Sequence, residues 1–294
     1  MATATAVVAV SVGVAALNPA RPLDNQTTTD TGDAGQTLRN SVTALRAGNY
    51  TFTRTGAGSV ADIQRGAVHL PDSVLIQHSD TFAVLRTGSG TYLRYLLHVR
   101  PEARDEYRQY FRKHLKGAQA EKVEKIYAQL DGEHWTRADE KKLADAATVD
   151  EQSGLDSMAR LPTSGQPDAT GADALIAAVT SAERSGNTIT GTLDATKPNP
   201  LLEQLFNDPT YLYGVGATTM PYRATLDDQG RLTDFTVTMP DHQMASQPAG
   251  PVDPEPPLII QISEYGRTEA QNPPAQVSGE LTTDAYDLLA RDTD

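Results

Sequence analysis

The sequence predicts an α+β protein dominated by a large antiparallel β-sheet, and three observations carry that prediction. From residue 50 to residue 99 apolar and polar residues alternate, in runs near 50–55, 60–70, 73–79, 82–87 and 91–99, divided by the turn formers Gly56, Pro71-Asp72, Ser79-Asp80 and Gly88-Ser89-Gly90. Late in the chain, runs at 222–226 and 232–239 flank Asp227-Asp228-Gln229-Gly230 as a second hairpin would. Between these regions lie segments whose apolar residues recur at helical spacing, so the helices are segregated from the strands rather than alternating with them.

Taken in order, residues 2–17 form an uncharged run of Ala, Val, Thr and Gly, too short for a bilayer span of about 20 apolar residues. The run is like the apolar part of a signal peptide, with small residues at Val14-Ala15-Ala16, and points to a location outside the cytoplasm. Residues 18–36, rich in Thr, Asp, Asn and Gly, have little to bury and read as a disordered tether. A folded domain is expected over 37–294. It opens with a short helix through Leu38, Val42 and Leu45, closed by Gly48-Asn49. The strands of the meander follow; in the last, Leu93, Tyr95, Leu97 and Val99 share one face, with Arg94 and His98 on the other.

After Pro101, Tyr107, Tyr110, Phe111 and Leu115 mark an amphipathic helix ending at Gly117. Asp131-Gly132 then predicts a tight hairpin over 123–137, with Ile126, Ala128, Leu130 and Trp135 on one face. Residues 148–170 read as loop with a short turn at 155–161. A helix is expected over 171–184 through Leu175, Ile176 and Val179, then a strand over 188–193. Pro198 and Pro200 open a short helix with Leu201, Leu202, Leu205 and Phe206 on its apolar side. Five prolines within 246–257 mark an extended loop, because proline cannot donate to a ladder. Leu258, Ile260 and Ile262 alternate in a last strand, 266–281 reads as loop, and 285–290 as a final helical turn.

Composition narrows the function classes. The formal charge of −13 repels phosphate backbones, so nucleic acid is excluded as a partner. Residues 94–142 run against this trend with twelve of the 25 basic residues, read as a solvated helix face. The absence of cysteine removes disulfides, thiolate catalysis and thiolate-bound metal together. The six histidines, at 69, 78, 98, 114, 134 and 242, are dispersed and form no metal-binding spacing. Gly88-Ser89-Gly90 lacks the spacing of a nucleophile elbow and reads as a turn; Gly214-Val215-Gly216 reads as a loop, and Asp227-Asp228 as a turn rather than a calcium site. No catalytic residue, metal ligand or cofactor motif is found, and the expectation is a protein that binds rather than transforms.

The order of signal-like run, tether, short helix, long meander, helical insertion, Gly132 to Trp135 (Gly-x-x-Trp), two helices and late hairpins closing on Ser263-Glu264-Tyr265-Gly266 resembles the actinobacterial lipoproteins of the LolA-like superfamily. The resemblance covers 37–266. It implies a strongly curved, unclosed half-barrel with helices over its concave face and an apolar cavity that holds lipid acyl chains. The sequence departs from the family at the lipid-attachment cysteine, absent near Leu17, which leaves membrane anchoring open. On this reading Leu93, Tyr95, Leu97, Trp135, Phe235 and Ile260 converge on the cavity, and the partner is a lipid or lipophilic small molecule. The alternative is a cell-surface module with a solid core that binds a protein of the cell envelope.

Overall fold

The computed structural model describes residues 31–56, 65–97, 101–147, 161–206, 208–242 and 255–290. The expectations for residues 1–30, for the start of the run at 60–70, for His98 and Val99, for the turn at 155–161 and for most of the proline loop lie outside the described residues.

Among the described residues, twelve strands form one open sheet, an unclosed half-barrel with helices against its inner face. The first meander contains β1 (Asn49–Thr55), β2 (Arg65–His69), β3 (Ser73–Gln77), β4 (Ala83–Thr87) and β5 (Gly90–Arg94), paired in sequence order. The second contains β7 (Val179–Ser185), β8 (Thr188–Leu193), β9 (Met220–Leu226), β10 (Leu232–Val237) and β11 (Leu258–Ser263). The two join where β1 pairs with β11. Beyond β5 lie β6 (Trp135–Ala138) and, parallel to it at the edge, β12 (Val277–Glu280).

Alternation fixes which face is buried. In β1 the side chains of Tyr50, Phe52 and Arg54 are buried while Thr51 and Thr53 point away from the core. The register carries that face across the sheet: Phe52 lies opposite Ile262, Ile76 opposite Val84, Val84 opposite Leu93, and Ile260 opposite Phe235. Each such side chain, fully buried, contributes roughly 1.5–3 kcal/mol of transfer free energy. A large sheet with one apolar face needs a cover, and helices supply it at both ends. At the β7 end α1 (Thr31–Ser41) and α5 (Ala172–Ala177) bury Ala34, Leu38, Leu175 and Ile176. At the β6 end α3 (Ala118–Gln129), α4 (Glu140–Ala147) and α7 (Thr283–Leu289) bury Ile126, Tyr127, Leu143, Ala285 and Leu289.

Four expectations are corrected. The tether reading fails over its last residues, because α1 starts at Thr31: Ala34, 1% exposed, extends the Leu38–Val42 stripe by one turn and packs in the core. The hairpin at 123–137 is instead α3 followed by β6. Val123, Ile126, Tyr127 and Leu130 form a helical stripe and Ala128 is exposed, so the two-residue alternation was a coincidence within a helical period. Asp131-Gly132 is still a turn: Asp131 Oδ1 accepts the backbone N–H groups of Glu133 and His134 at 2.9 Å each, and Gly132 has φ 76°. The helix expected over 171–184 stops at Ala177; Val179–Ser185 pairs with β8 through Gly186-Asn187, where ladder partners override a weak helical pattern. Finally, 266–281 contains β12, whose exposed side chains show no pattern. It is held by Ser278 Oγ and Thr136 Oγ1 at 2.8 Å and by Gln129 Nε2 donating to the Glu280 carbonyl at 2.6 Å.

Away from the sheet, α2 (Pro101–His114) pairs with α3 through Glu124, which accepts from Arg112 Nε at 2.7 Å and Arg108 Nη2 at 2.9 Å. These two guanidiniums, Arg112 foremost, hold the Glu124 carboxyl down to about 2.

Two outcomes follow from this architecture. Replacing Gly132 with Val lowers stability by about 1–3 kcal/mol, because a β-branched residue is strained at positive φ. A Cβ there also lies 2.8 Å from the Leu96 Cβ. Equilibrium denaturant unfolding checks it, and a change within about 0.5 kcal/mol contradicts it. For Glu124 the folded-state value lies below the ordinary one, so its contribution is present above the usual carboxylate range and is lost as pH falls towards 2. Glu124→Gln therefore flattens the acid limb of the unfolding midpoint against pH, most visibly between about pH 4.5 and 2.

Candidate functional site

The middle of the sheet is covered differently from its ends. Over β1 and β4 residues 161–171 cross the inner face as irregular chain, and α6 (Pro200–Phe206) borders them. Between this cover and the strands is a cavity of about 800 Å³. Arg54 and Ile76 form its sheet side, Leu161, Leu201 and Leu205 its apolar wall, and Arg46, Asp173 and Asn199 contribute polar groups.

The crossing chain is fixed by a small number of hydrogen bonds. Tyr50, 0% exposed, donates from its phenol to the Pro167 carbonyl at 2.6 Å and accepts from the Ala169 N–H at 2.8 Å. Burial, reinforced by the charge of Asp168, pushes the Tyr50 phenol well above its ordinary range, so the hydroxyl stays a donor. Thr163 and Gln166 exchange both backbone hydrogen bonds at 3.0 Å, closing a tight turn, and the Pro162 carbonyl accepts from Arg86 on β4. Asp168 Oδ1 takes the Thr170 N–H and hydroxyl at 2.7 Å each, and its Oδ2 takes the Asp173 N–H at 3.0 Å at the start of α5. Gly171 follows at φ 81°, where a Cβ would stand 3.0 Å from Leu205 Cδ1; the absent side chain lets α6 close against the segment.

The charges are mixed. Arg54 is 6% exposed although it sits on a strand face otherwise occupied by Tyr50 and Phe52, opposite Ile260. The Asp173 carboxyl, which reaches solvent, is raised by partial burial and then by Asp168, with Arg46 offsetting part of this. An arrangement of apolar wall, inward guanidinium and polar rim can accommodate an amphiphilic molecule.

The six residues selected from sequence fall into separate groups, and none is among those lining this cavity. Phe235 and Ile260 are direct cross-strand partners, both 0% exposed, and Tyr222 stacks on Phe235 at 5.2 Å and 3°. Leu93, also 0% exposed, is on β5, six strands from Phe235 on β10, roughly 30 Å along the sheet, and Leu97, equally buried, follows the end of β5. Tyr95 is half-buried, edge-on to Phe82 at 5.1 Å. Trp135 is on the other face: Leu93 pairs with Thr136, so its neighbour Trp135 points outward, with the Arg94 guanidinium 5.2 Å from the ring centre. The cavity residues that sequence reasoning missed include Arg54 and Ile76. An arginine at an inward position of an alternating strand was the available signal.

Among the described residues, Asp131, Glu133 and His134 form the one group with metal-ligating atoms close together. Its central carboxylate already accepts two backbone N–H groups and the His134 Nδ1 at 2.6 Å, which accounts for the cluster as a turn. Asp227 likewise accepts from the Gln229 and Arg231 N–H groups and pairs with the Arg231 side chain at 2.6 Å. No helix among the described residues is long and apolar enough to cross a membrane.

No protein-family model matches the chain, and no curated protein matches it. Among solved structures, the lipoprotein LppX of Mycobacterium tuberculosis is similar at 13% sequence identity and a TM-score of 0.35, over 82% of this chain and 97% of that one.

Proposed function

We propose that this chain is an extracytoplasmic binding protein that holds a lipid or other lipophilic ligand between the sheet and the 161–171 segment, without transforming it. The observation that carries this reading is the cavity itself: about 800 Å³ lies between a buried sheet face and a hydrogen-bonded cover. That volume is within the range of roughly 300–1,000 Å³ usual for small-molecule sites. Its wall of Ile76, Leu161, Leu201 and Leu205 suits an apolar chain, and Arg46, Asp173 and Asn199 suit a polar end. The extracytoplasmic location rests on the apolar run at 2–17. The packed ends of the sheet, where Phe235 and Leu93 lie, serve as scaffold in this account.

The test is Leu201→Trp, which places a larger ring in the cavity wall from a half-buried position. The parent protein binds a long-chain fluorescent fatty-acid probe, and the variant binds it at least about tenfold more weakly with a stability change under about 1 kcal/mol, because space is available. A parent that binds no probe, together with a variant destabilised by about 1–3 kcal/mol as an overpacked core would be, contradicts the carrier reading and favours a solid interaction module.

A further inference from the structure

We infer that the α2–α3 hairpin is a docking tip for an anionic lipid bilayer surface. One side of the hairpin packs on the protein through Phe111, Val123 and the Lys122–Asp284 ion pair, and its other side is open: no residue from 104 to 125 is fully buried, and Tyr107 and Tyr110 face solvent. Tyr107 and Tyr110 are 48% and 56% exposed, two of the most exposed large apolar side chains among the described residues. Phe111 lies 6.4 Å from Tyr127 on α3, while Tyr110 stacks on His114 at 4.2 Å.

Charge distinguishes this tip from the rest of the chain. The protein carries −13 overall, yet residues 107–120, flanked by Asp105, Glu106 and Glu121, contain Arg108, Arg112, Lys113 and Lys116 and no acidic residue. Glu124 on α3 takes up Arg108 and Arg112. Lys113 and Lys116, both exposed, form no ion pair among the described residues and lie within one turn or two of Tyr110. Tyrosine is favoured at the level of lipid head groups, where its ring is apolar and its hydroxyl stays wet, and neighbouring lysines meet anionic head groups. At physiological ionic strength the Debye length is about 8 Å, so acidic groups farther than this from Lys113 and Lys116 are largely screened. A protein partner fits less well, because a stable interface needs about 800 Å² on each side and a helix-hairpin end offers little flat surface. A bilayer accepts a few inserted side chains.

The experiment uses the full chain and sedimentation with large vesicles of phosphatidylcholine, with and without phosphatidylglycerol. The parent associates with the anionic vesicles, not with the neutral ones, and salt reverses the association. The double variant Lys113→Ala, Lys116→Ala weakens it by roughly 25-fold, about fivefold for each basic residue removed from the surface. Tyr110→Ala weakens it as well, with an unchanged unfolding midpoint and unchanged Trp135 emission as evidence of an intact fold. Retained fatty-acid probe binding in these variants separates the tip from the cavity. Absence of association by the parent, equal association with neutral vesicles, or a lysine double variant that binds like the parent overturns the inference.

Discussion

The phenol of Tyr50 is the constraint on which the site depends. It sits on β1, the strand where the two meanders meet, and its single hydroxyl both donates to Pro167 and accepts from Ala169, 117 and 119 positions along the chain. Those two bonds satisfy backbone groups in a segment that has no ladder or helix of its own, which is what allows irregular chain to run over a buried surface. The surroundings keep the ring in place: Phe52 and Tyr265 lie 6.2 and 6.4 Å away, and Tyr265 in turn donates to the Leu232 carbonyl under the Arg231 guanidinium. Tyr50 thus couples the centre of the sheet to the lid over it.

The position of the cavity follows from how an open sheet is covered. At both ends, helices press Leu and Ile side chains directly onto the strands and leave a close-packed core. In the middle, the cover is tied to the strands by hydrogen bonds with Tyr50 and Arg86 and by the packed Leu161, and is braced within itself by Asp168, which accepts from Thr170 and Asp173.

The strands were legible because a half-buried strand writes its burial into every second residue. Thr188–Leu193 and the hairpin around Asp227–Gly230 appear as the sequence indicates, and so does the meander of β1 to β5. Short apolar stretches were less secure: Ile126 and Leu130 fit periods of both 2 and 3.6, and the buried Tyr127 beside an exposed Ala128 decides for helix only in three dimensions. Ala34 was hidden among polar neighbours. The site was the least legible part, since residues 161–173 carry no periodicity and their place is set by partners such as Tyr50 that are remote in sequence. Aromatic residues drew attention to Trp135 and Phe235, whereas the cavity is built from Arg54, Ile76 and the leucines of α6.

The proposed function places a lipophilic molecule in the cavity between the sheet and the 161–171 segment. Native mass spectrometry of the purified chain after incubation with a total lipid extract of the producing cell tests this most directly. The account predicts a discrete additional mass corresponding to one amphiphile per chain. A spectrum containing the mass of the bare chain alone would contradict it.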